Sequence, residues 1–304
     1  MRVFITGGTG FLGRALTDGL LTAGHSVTIL TRNHRQQRQR FIPTLSYEEG
    51  NPTQPGAWQE ALAKHEVVIN LAGASIFRRW DQASKEVLRE SRIATTRNIV
   101  AGLATRQGKQ TVLLNGSAVG YYGSCGDEEI DEGGTNGNDF LATLTRDWEA
   151  AAREAEQYGV RVICCRIGVI IGPDGGALSR MLTAFRWGIG SPLGSGDQYF
   201  SWIHLDDLVR AFLFLMETPA ITGPMNCTAP APVTNREMSR TLARVLHRPL
   251  LPAIPAFLIR LVLGEFSSVL LEGQRVVPAG LLANGFSFTN PTIEAAFRRV
   301  LAKE

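Results

Sequence analysis

The chain has 304 residues, 44% of them apolar and 19% charged, with a formal net charge of +3. That length and apolar share suffice for a large α/β domain with a smaller second lobe. The net charge is small for this length and does not itself imply nucleic acid or membrane, and neither partner is expected. No basic region precedes an apolar leader, so a cytoplasmic protein without a signal peptide is expected.

Along the chain, the short apolar run Val3-Phe4-Ile5 reads as a strand, and Arg14 to Ala23 reads as a helix. Between them lies Gly8-Thr9-Gly10-Phe11-Leu12-Gly13. A strand, a glycine turn and a helix in that order form a dinucleotide-binding unit. The first glycine permits the tight turn, the second lets backbone approach a pyrophosphate, and the third lets helix and strand pack closely. The helix N-terminus then offers free N–H groups and partial positive charge to the anion. Gly7, Gly8, Thr9, Gly10, Phe11, Leu12 and Gly13 are therefore expected at a cofactor. The next strand is Ser26 to Thr31. An acidic residue at its end would grip the adenosine ribose of NAD. Thr31-Arg32 stands there instead, followed by Arg35, Arg38 and Arg40. A guanidinium takes a 2′-phosphate bidentately, which points to NADP(H) in preference to NAD(H). The later arginines also suit a solvated basic loop.

Strand and helix patterns keep alternating. Glu66 to Gly73 is a buried strand ending in small residues, a helix covers about 83–106, and Thr111 to Asn115 is a strand. A helix covers about 139–158 and a strand 160–167. This predicts an α/β fold with a Rossmann-type doubly wound parallel sheet. Ligands then sit beyond the carboxyl ends of the strands. One crevice should gather Gly7 to Gly13, Thr31-Arg32, Leu71-Ala72-Gly73, Gly116-Ser117 and Gly168 to Ile170. After Gly172-Pro173 glycine and proline become frequent. The expected division is a dinucleotide-binding domain over 1–172, with 199–218 returning to it, and a smaller substrate lobe over 173–198 and 219–304. Thr234-Asn235-Arg236-Glu237 has the form of a capping box. Ile254 to Leu271 is interrupted by Arg260 and Glu265 and reads as an amphipathic helix, not a membrane span. The four cysteines and five histidines show no metal-binding spacing, so no catalytic metal is expected.

These segments resemble the extended short-chain dehydrogenase/reductase superfamily over nearly the whole chain. Thr6 to Gly13 is similar to its nucleotide signature, Leu71-Ala72-Gly73 to its fourth-strand motif, and Trp202 to Asp207 to a later segment. More narrowly, Ser117-Ala118-Val119-Gly120-Tyr121-Tyr122-Gly123 and Leu271 to Pro278 resemble the atypical "epimerase family" subgroup, itself similar to NAD(P)-dependent nucleotide-sugar epimerases. The substrate class is analogy alone. Ordinary members use Ser, Tyr and Lys, with Tyr and Lys four apart on one helix. Here that helix carries Leu141 and Thr145 at those places. Without the lysine a tyrosine has a pKa near 10, so about one part in a thousand ionises at pH 7 and phenolate catalysis loses roughly 4 kcal/mol. A neutral tyrosine still donates a proton. Ser117, Tyr121 and Tyr122 are the candidate catalytic residues.

By the same resemblance Arg92 lies near the nicotinamide half of the cofactor; the alternative is a surface ion pair with Glu86 or Glu90. Arg78 and Arg79 suit a solvated loop better than a substrate site. Asn51 stands near where the family often has an Asp by the adenine. His204 and Asp206 are expected to organise a junction and cap the following helix. Two functions follow. One is an NADP(H)-dependent oxidoreductase or epimerase acting on an unidentified small molecule. The other is a non-catalytic NADP(H)-binding sensor. The substrate, reaction direction and oligomeric state stay open.

Overall fold

The computed structural model describes residues 1–33, 42–78, 80–106, 109–173 and 175–302, without the side chains of residues 177 and 180. The elements begin with β1 (Arg2–Thr6), α1 (Phe11–Thr22), β2 (Ser26–Thr31), β3 (Leu45–Glu49), α2 (Trp58–Leu62), β4 (Val67–Asn70) and α3 (Gln82–Leu103). Next come β5 (Val112–Ala118), β6 (Glu129–Ile130), α4 (Phe140–Arg153), β7 (Arg161–Ile167), β8 (Val169–Ile171) and α5 (Gly176–Arg186). β9 (Tyr199–Phe200), β10 (Trp202–His204), α6 (Leu205–Glu217), β11 (Gly223–Cys227), β12 (Val233–Thr234) and α7 (Asn235–Val245) follow. The last are α8 (Ala256–Leu263), α9 (Ser268–Leu271), β13 (Arg275–Val276), α10 (Ala279–Ala283) and α11 (Ile293–Leu301).

Seven strands pair in parallel in the order β11-β7-β5-β4-β1-β2-β3. The chain winds outward in both directions from β1 and β4, as the Rossmann-type expectation requires. Strand β1 shows why such runs become central strands. Val3 and Ile5 join the core on one face and Phe4 the core on the other, and all three are fully buried. A strand covered on both faces must be apolar throughout. On the first face α1 and α6 supply Leu16, Leu20, Leu208, Phe212 and Leu215. On the second, α2, α3 and α4 supply Trp58, Leu62, Ile99, Leu103 and Ala152. Each such aliphatic or aromatic side chain contributes about 1.5–3 kcal/mol by its burial. A separate core unites α5, α7 and α11 through Leu182, Phe185, Met238, Leu242, Phe297 and Val300.

Three features depart from the sequence expectation. Residues 219–304 do not all belong to the smaller lobe, because Gly223–Cys227 is the edge strand beside β7. Pro224 disguises it, and an edge position tolerates the missing donor. The stretch 254–271 is not one helix. It breaks at Gly264, whose φ of 57° lies in the left-handed region. Finally, β3 and α2 carry weak local patterns and were not expected.

Two expected caps are present. Thr234 accepts from the Glu237 amide at the start of α7, and His204 Nδ1 accepts from the Asp206 amide at the start of α6.

Candidate active site

Parallel strands bring their carboxyl ends to one edge of the sheet, and the glycine turn lies there between β1 and α1. Gly7 has φ +73°, and a Cβ on it would lie 2.6 Å from the Leu71 carbonyl carbon and oxygen. A Cβ on Gly13 would lie 2.2 Å from the Gly7 oxygen and 2.6 Å from Gly8 Cα. These two glycines hold the turn together by close backbone approach. Gly10 differs. It is exposed, with φ −76° and ψ 179°, and its Cβ would meet the Gly7 oxygen at 3.2 Å and nothing else within 4 Å. Gly10 thus leaves the outer surface of the turn bare. It also caps α1 without a side-chain hydrogen bond, and no acid lies in the first turn. The amides of Phe11, Leu12 and Gly13 begin the helix, where no intrahelical acceptor reaches them. Thr9 is fixed by its carbonyl, which accepts from Arg14 Nη1 at 2.8 Å. This is a cradle of bare backbone donors suited to an anion.

Neighbouring segments close around it. The Leu71 amide donates to the Thr6 carbonyl at 3.0 Å, which sets Leu71, Ala72 and Gly73 beside the turn. Phe11 packs against the backbone after β8. Cβ atoms on Gly172 and Gly175 would lie 2.9 and 2.5 Å from its ring, and one on Gly176 would lie 2.9 Å from the Ile170 oxygen. Thr31 ends β2, and its Oγ1 accepts from the Asn33 amide. Arg32 is exposed beside it and makes no ion pair among the described residues. Arg35, Arg38, Arg40 and Arg79 lie outside the described residues. Arg78 is exposed, and Asn51 is turned to its own loop, accepting from the Thr53 amide and hydroxyl.

Arg92 on α3 reaches toward Gly73. A Cβ on that glycine would lie 3.1 Å from the guanidinium carbon. Its Nη1 donates to the Leu88 carbonyl at 3.2 Å, and the guanidinium lies 5.3 Å from the centre of the Trp148 ring. Burial pulls its pKa down to about 10, so it is still charged at neutral pH. The alternative ion pair with Glu86 or Glu90 does not form among the described residues. Beneath it a buried polar network joins three neighbouring strands, β1, β4 and β5. Thr6 Oγ1 donates to Asn70 Oδ1, while Asn70 Nδ2 donates to Thr96 Oγ1 and Asn115 Oδ1. Trp148 Nε1 donates to the same Thr96 hydroxyl at 2.9 Å. Satisfied in this way, buried polar groups rigidify the floor instead of costing stability.

The candidate catalytic residues occupy a second cluster. Ser117 is the sixth residue of β5 and is buried; its hydroxyl donates to Glu149 Oε1 at 2.6 Å. Arg166 from β7 clamps the same carboxylate, Nε to Oε1 at 2.8 Å and Nη2 to Oε2 at 2.9 Å. Its Nη1 donates to the Tyr122 hydroxyl at 2.9 Å, and that hydroxyl donates to Asn226 Oδ1 at 2.7 Å. Burial works to lower the Arg166 pKa, but the hydrogen bonds and charge of Glu149 outweigh it and the net shift is upward. Tyr122, expected at the crevice as a proton donor, is instead 2% exposed and faces the interior. Burial pushes its phenol up to about 12, against the lowering effect of Arg166. Tyr121 is half-buried, with its ring centre 3.5 Å from the Arg166 guanidinium carbon. The turn between β5 and β6 therefore presents Tyr121 and commits Ser117 and Tyr122 to internal partners. On α4, Leu141 lies against Gly120, and the Thr145 hydroxyl is turned back onto the Leu141 and Ala142 carbonyls.

The sequence bears out the fold's ancestry directly. Residues 3–227 match the NAD dependent epimerase/dehydratase family, which covers most of the chain. The chain belongs to that family. Residues 254–300 further match a domain of unknown function, DUF1731. Among relatives, the epimerase family protein SH2119 of Staphylococcus haemolyticus is 40% identical over 298 residues, covering 98% of each chain. The chloroplastic SDR39U1 homolog of Arabidopsis thaliana is 38% identical, over 99% of this chain and 87% of that one. The crystal structure of the human epimerase family protein SDR39U1 with NADPH is 32% identical and superposes with a TM-score of 0.86 over the full length of both chains. Thermus thermophilus UDP-glucose 4-epimerase with NAD has a TM-score of 0.76 at 18% identity, a likeness of fold alone.

Within this epimerase-family fold, sequence reasoning missed Glu149, Arg166 and Asn226. Arg166 stood in an apolar run with no local sign of its partner. The one available signal was Glu149, an acid on the sheet-facing side of α4 beside Trp148, which a buried cation has to balance.

Proposed function

We propose that this protein holds NADP(H), in preference to NAD(H), and acts as an oxidoreductase or epimerase-like enzyme on a small molecule without the usual Tyr-Lys pair. The observation that carries the cofactor assignment is the open glycine cradle at α1 with Arg32, and no acid, following β2. The NADPH-bound human relative supports it. Bound NADP(H) supplies a hydride donor or acceptor. Phe11, Leu12 and Gly13 offer first-turn backbone amides to its pyrophosphate, and Gly7 and Gly13 keep that turn closed, with the Gly10 amide spent on the Gly7 carbonyl. Arg32, with Thr31 beside it, takes the 2′-phosphate as a planar fork. Leu71, Ala72, Gly73 and Ile170 wall the crevice, and Arg92 supplies a fixed cation beside Gly73.

Proton transfer has to come from elsewhere than α4, which contains neither Tyr nor Lys. Ser117 and Tyr122 spend their hydroxyl hydrogens on Glu149 and Asn226. Tyr121, steadied on Arg166, and solvent water are the donors left. A second reading, a non-catalytic NADP(H) sensor, is favoured by this commitment of Ser117 and Tyr122 to the interior. The test mixes the protein with NADPH and a panel of carbonyl compounds and nucleotide sugars, following cofactor absorbance and product. Turnover that falls with Tyr121→Phe supports the enzyme. Tight NADPH binding with no turnover across the panel supports the sensor.

A further inference from the structure

The smaller lobe carries an apolar face that neither core uses. Of helix α8, only Ile259 is buried. Leu261 and Val262 are 80% and 79% exposed, and Phe257 and Leu258 are exposed beside them. The preceding chain extends the face. The Leu251 amide donates to the Gly190 carbonyl and the Ile254 amide to the Pro192 carbonyl, so exposed Ile189, Leu251 and Ile254 lie together. Gly188 rests near the Pro249 ring, which brings in Trp187, 81% exposed. Eight large apolar side chains, 39–81% exposed, thus lie along two adjoining segments, and exposed apolar clusters of this kind mark interaction sites.

The segments that carry this face are cationic. Segments 181–196 and 245–264 contain Arg186, His247, Arg248 and Arg260, all exposed, and no Asp or Glu. The acids that border these segments, Asp197 and Glu265, are held by Arg236 at 3.4 Å and by Lys85 at 2.6 Å. We propose that the α8–Trp187 face docks on the surface of an anionic lipid bilayer. Its apolar side chains enter the boundary between headgroups and acyl chains, its arginines meet the headgroups, and Trp187 sits at the level where indole rings concentrate. A second copy fits less well, since a two-fold contact lays the patch on itself and sets the arginines of one copy against those of the other. The attachment lies on the membrane and does not span it, for no helix among the described residues is long and apolar enough to cross.

The experiment is co-sedimentation of the full chain with vesicles of phosphatidylcholine alone, or mixed with phosphatidylglycerol, at low and high salt. Binding is expected to the mixed vesicles, weakened by salt, and weak on phosphatidylcholine. Trp187→Ser with Leu261→Ser should lower it at least tenfold, and Arg260→Glu, which leaves the apolar face intact, by about tenfold. The melting temperature and NADPH affinity should not change in either variant. Three results would overturn the proposal: no sedimentation with anionic vesicles, equal sedimentation of the variants, or a dimer in solution that Leu261→Ser converts to monomer.

Discussion

Replacing Gly10 by valine separates a cofactor cradle from a merely tight turn. The native φ and ψ of Gly10, −76° and 179°, are open to any L-residue, so the backbone is not strained. The new Cβ meets the Gly7 oxygen at 3.2 Å and otherwise projects into open space. A branched residue is a poorer N-cap than glycine, which costs about 1 kcal/mol and lowers the melting temperature by about 2–4 °C. Binding should suffer far more, because the side chain fills the space through which a pyrophosphate reaches the first-turn amides. Losing two hydrogen bonds to a charged group, at about 1.5–3 kcal/mol each, raises Kd about 100-fold or more. Gly13→Val is the contrast: its Cβ would sit 2.2 Å from the Gly7 oxygen, so that variant should unfold. The assay is calorimetric titration of the folded Gly10→Val protein with NADPH, paired with thermal melting. A Kd within threefold of the parent's, in a protein that melts normally, would refute the cradle.

Arg32→Asp should weaken NADPH binding about tenfold or more and narrow or reverse the preference over NADH, read by the same titration. Arg166→Met leaves Glu149 buried without its counter-ion and should cost about 3–5 kcal/mol in denaturant unfolding, part of it restored by adding Glu149→Leu. Leu141→Tyr with Thr145→Lys should raise any turnover on ordinary epimerase substrates, since a well-placed acid is worth about 10²–10⁴-fold; a parent rate already matching a normal epimerase would sink the low-activity expectation. The fourth concerns pH. Burial raises the Asp207 pKa, but four hydrogen bonds from Thr289 and Asn290 outweigh it and hold the carboxyl below its ordinary value. A depressed carboxyl stabilises fully above its unfolded pKa of about 3.9 and loses that effect as pH falls through the folded value. Stability against urea should therefore fall more steeply below about pH 4 in the parent than in Asp207→Asn.

Local chemistry made the first half of the fold legible. Val3-Phe4-Ile5 is apolar on both faces, Ser26 to Thr31 is rich in β-branched residues, glycines mark the turn, and β2 ends at the expected Thr31. β1, β2 and β4 are parallel neighbours and so end at one edge of the sheet, which the alternation of strand and helix already implied. What stayed hidden depends on partners distant in sequence. β3, Leu-Ser-Tyr-Glu-Glu, is an edge strand with one covered side, so its pattern is mostly polar. The clamp of Arg166 on Glu149 joins positions 17 residues apart on different elements, and only packing of α4 on the sheet reveals it. That clamp also explains why Tyr122 was misplaced. Tyr121 and Tyr122 look alike in a glycine-rich loop and both rings lie against the Arg166 guanidinium, but only the Tyr122 hydroxyl bonds Arg166 and Asn226.

The most direct test of the central claim is titration of the unmodified protein with NADPH and NADH under identical salt and pH. Saturable binding of both, with NADPH at least tenfold tighter, is the result expected from the α1 cradle and Arg32. Equal affinities, or tighter binding of NADH, would contradict it.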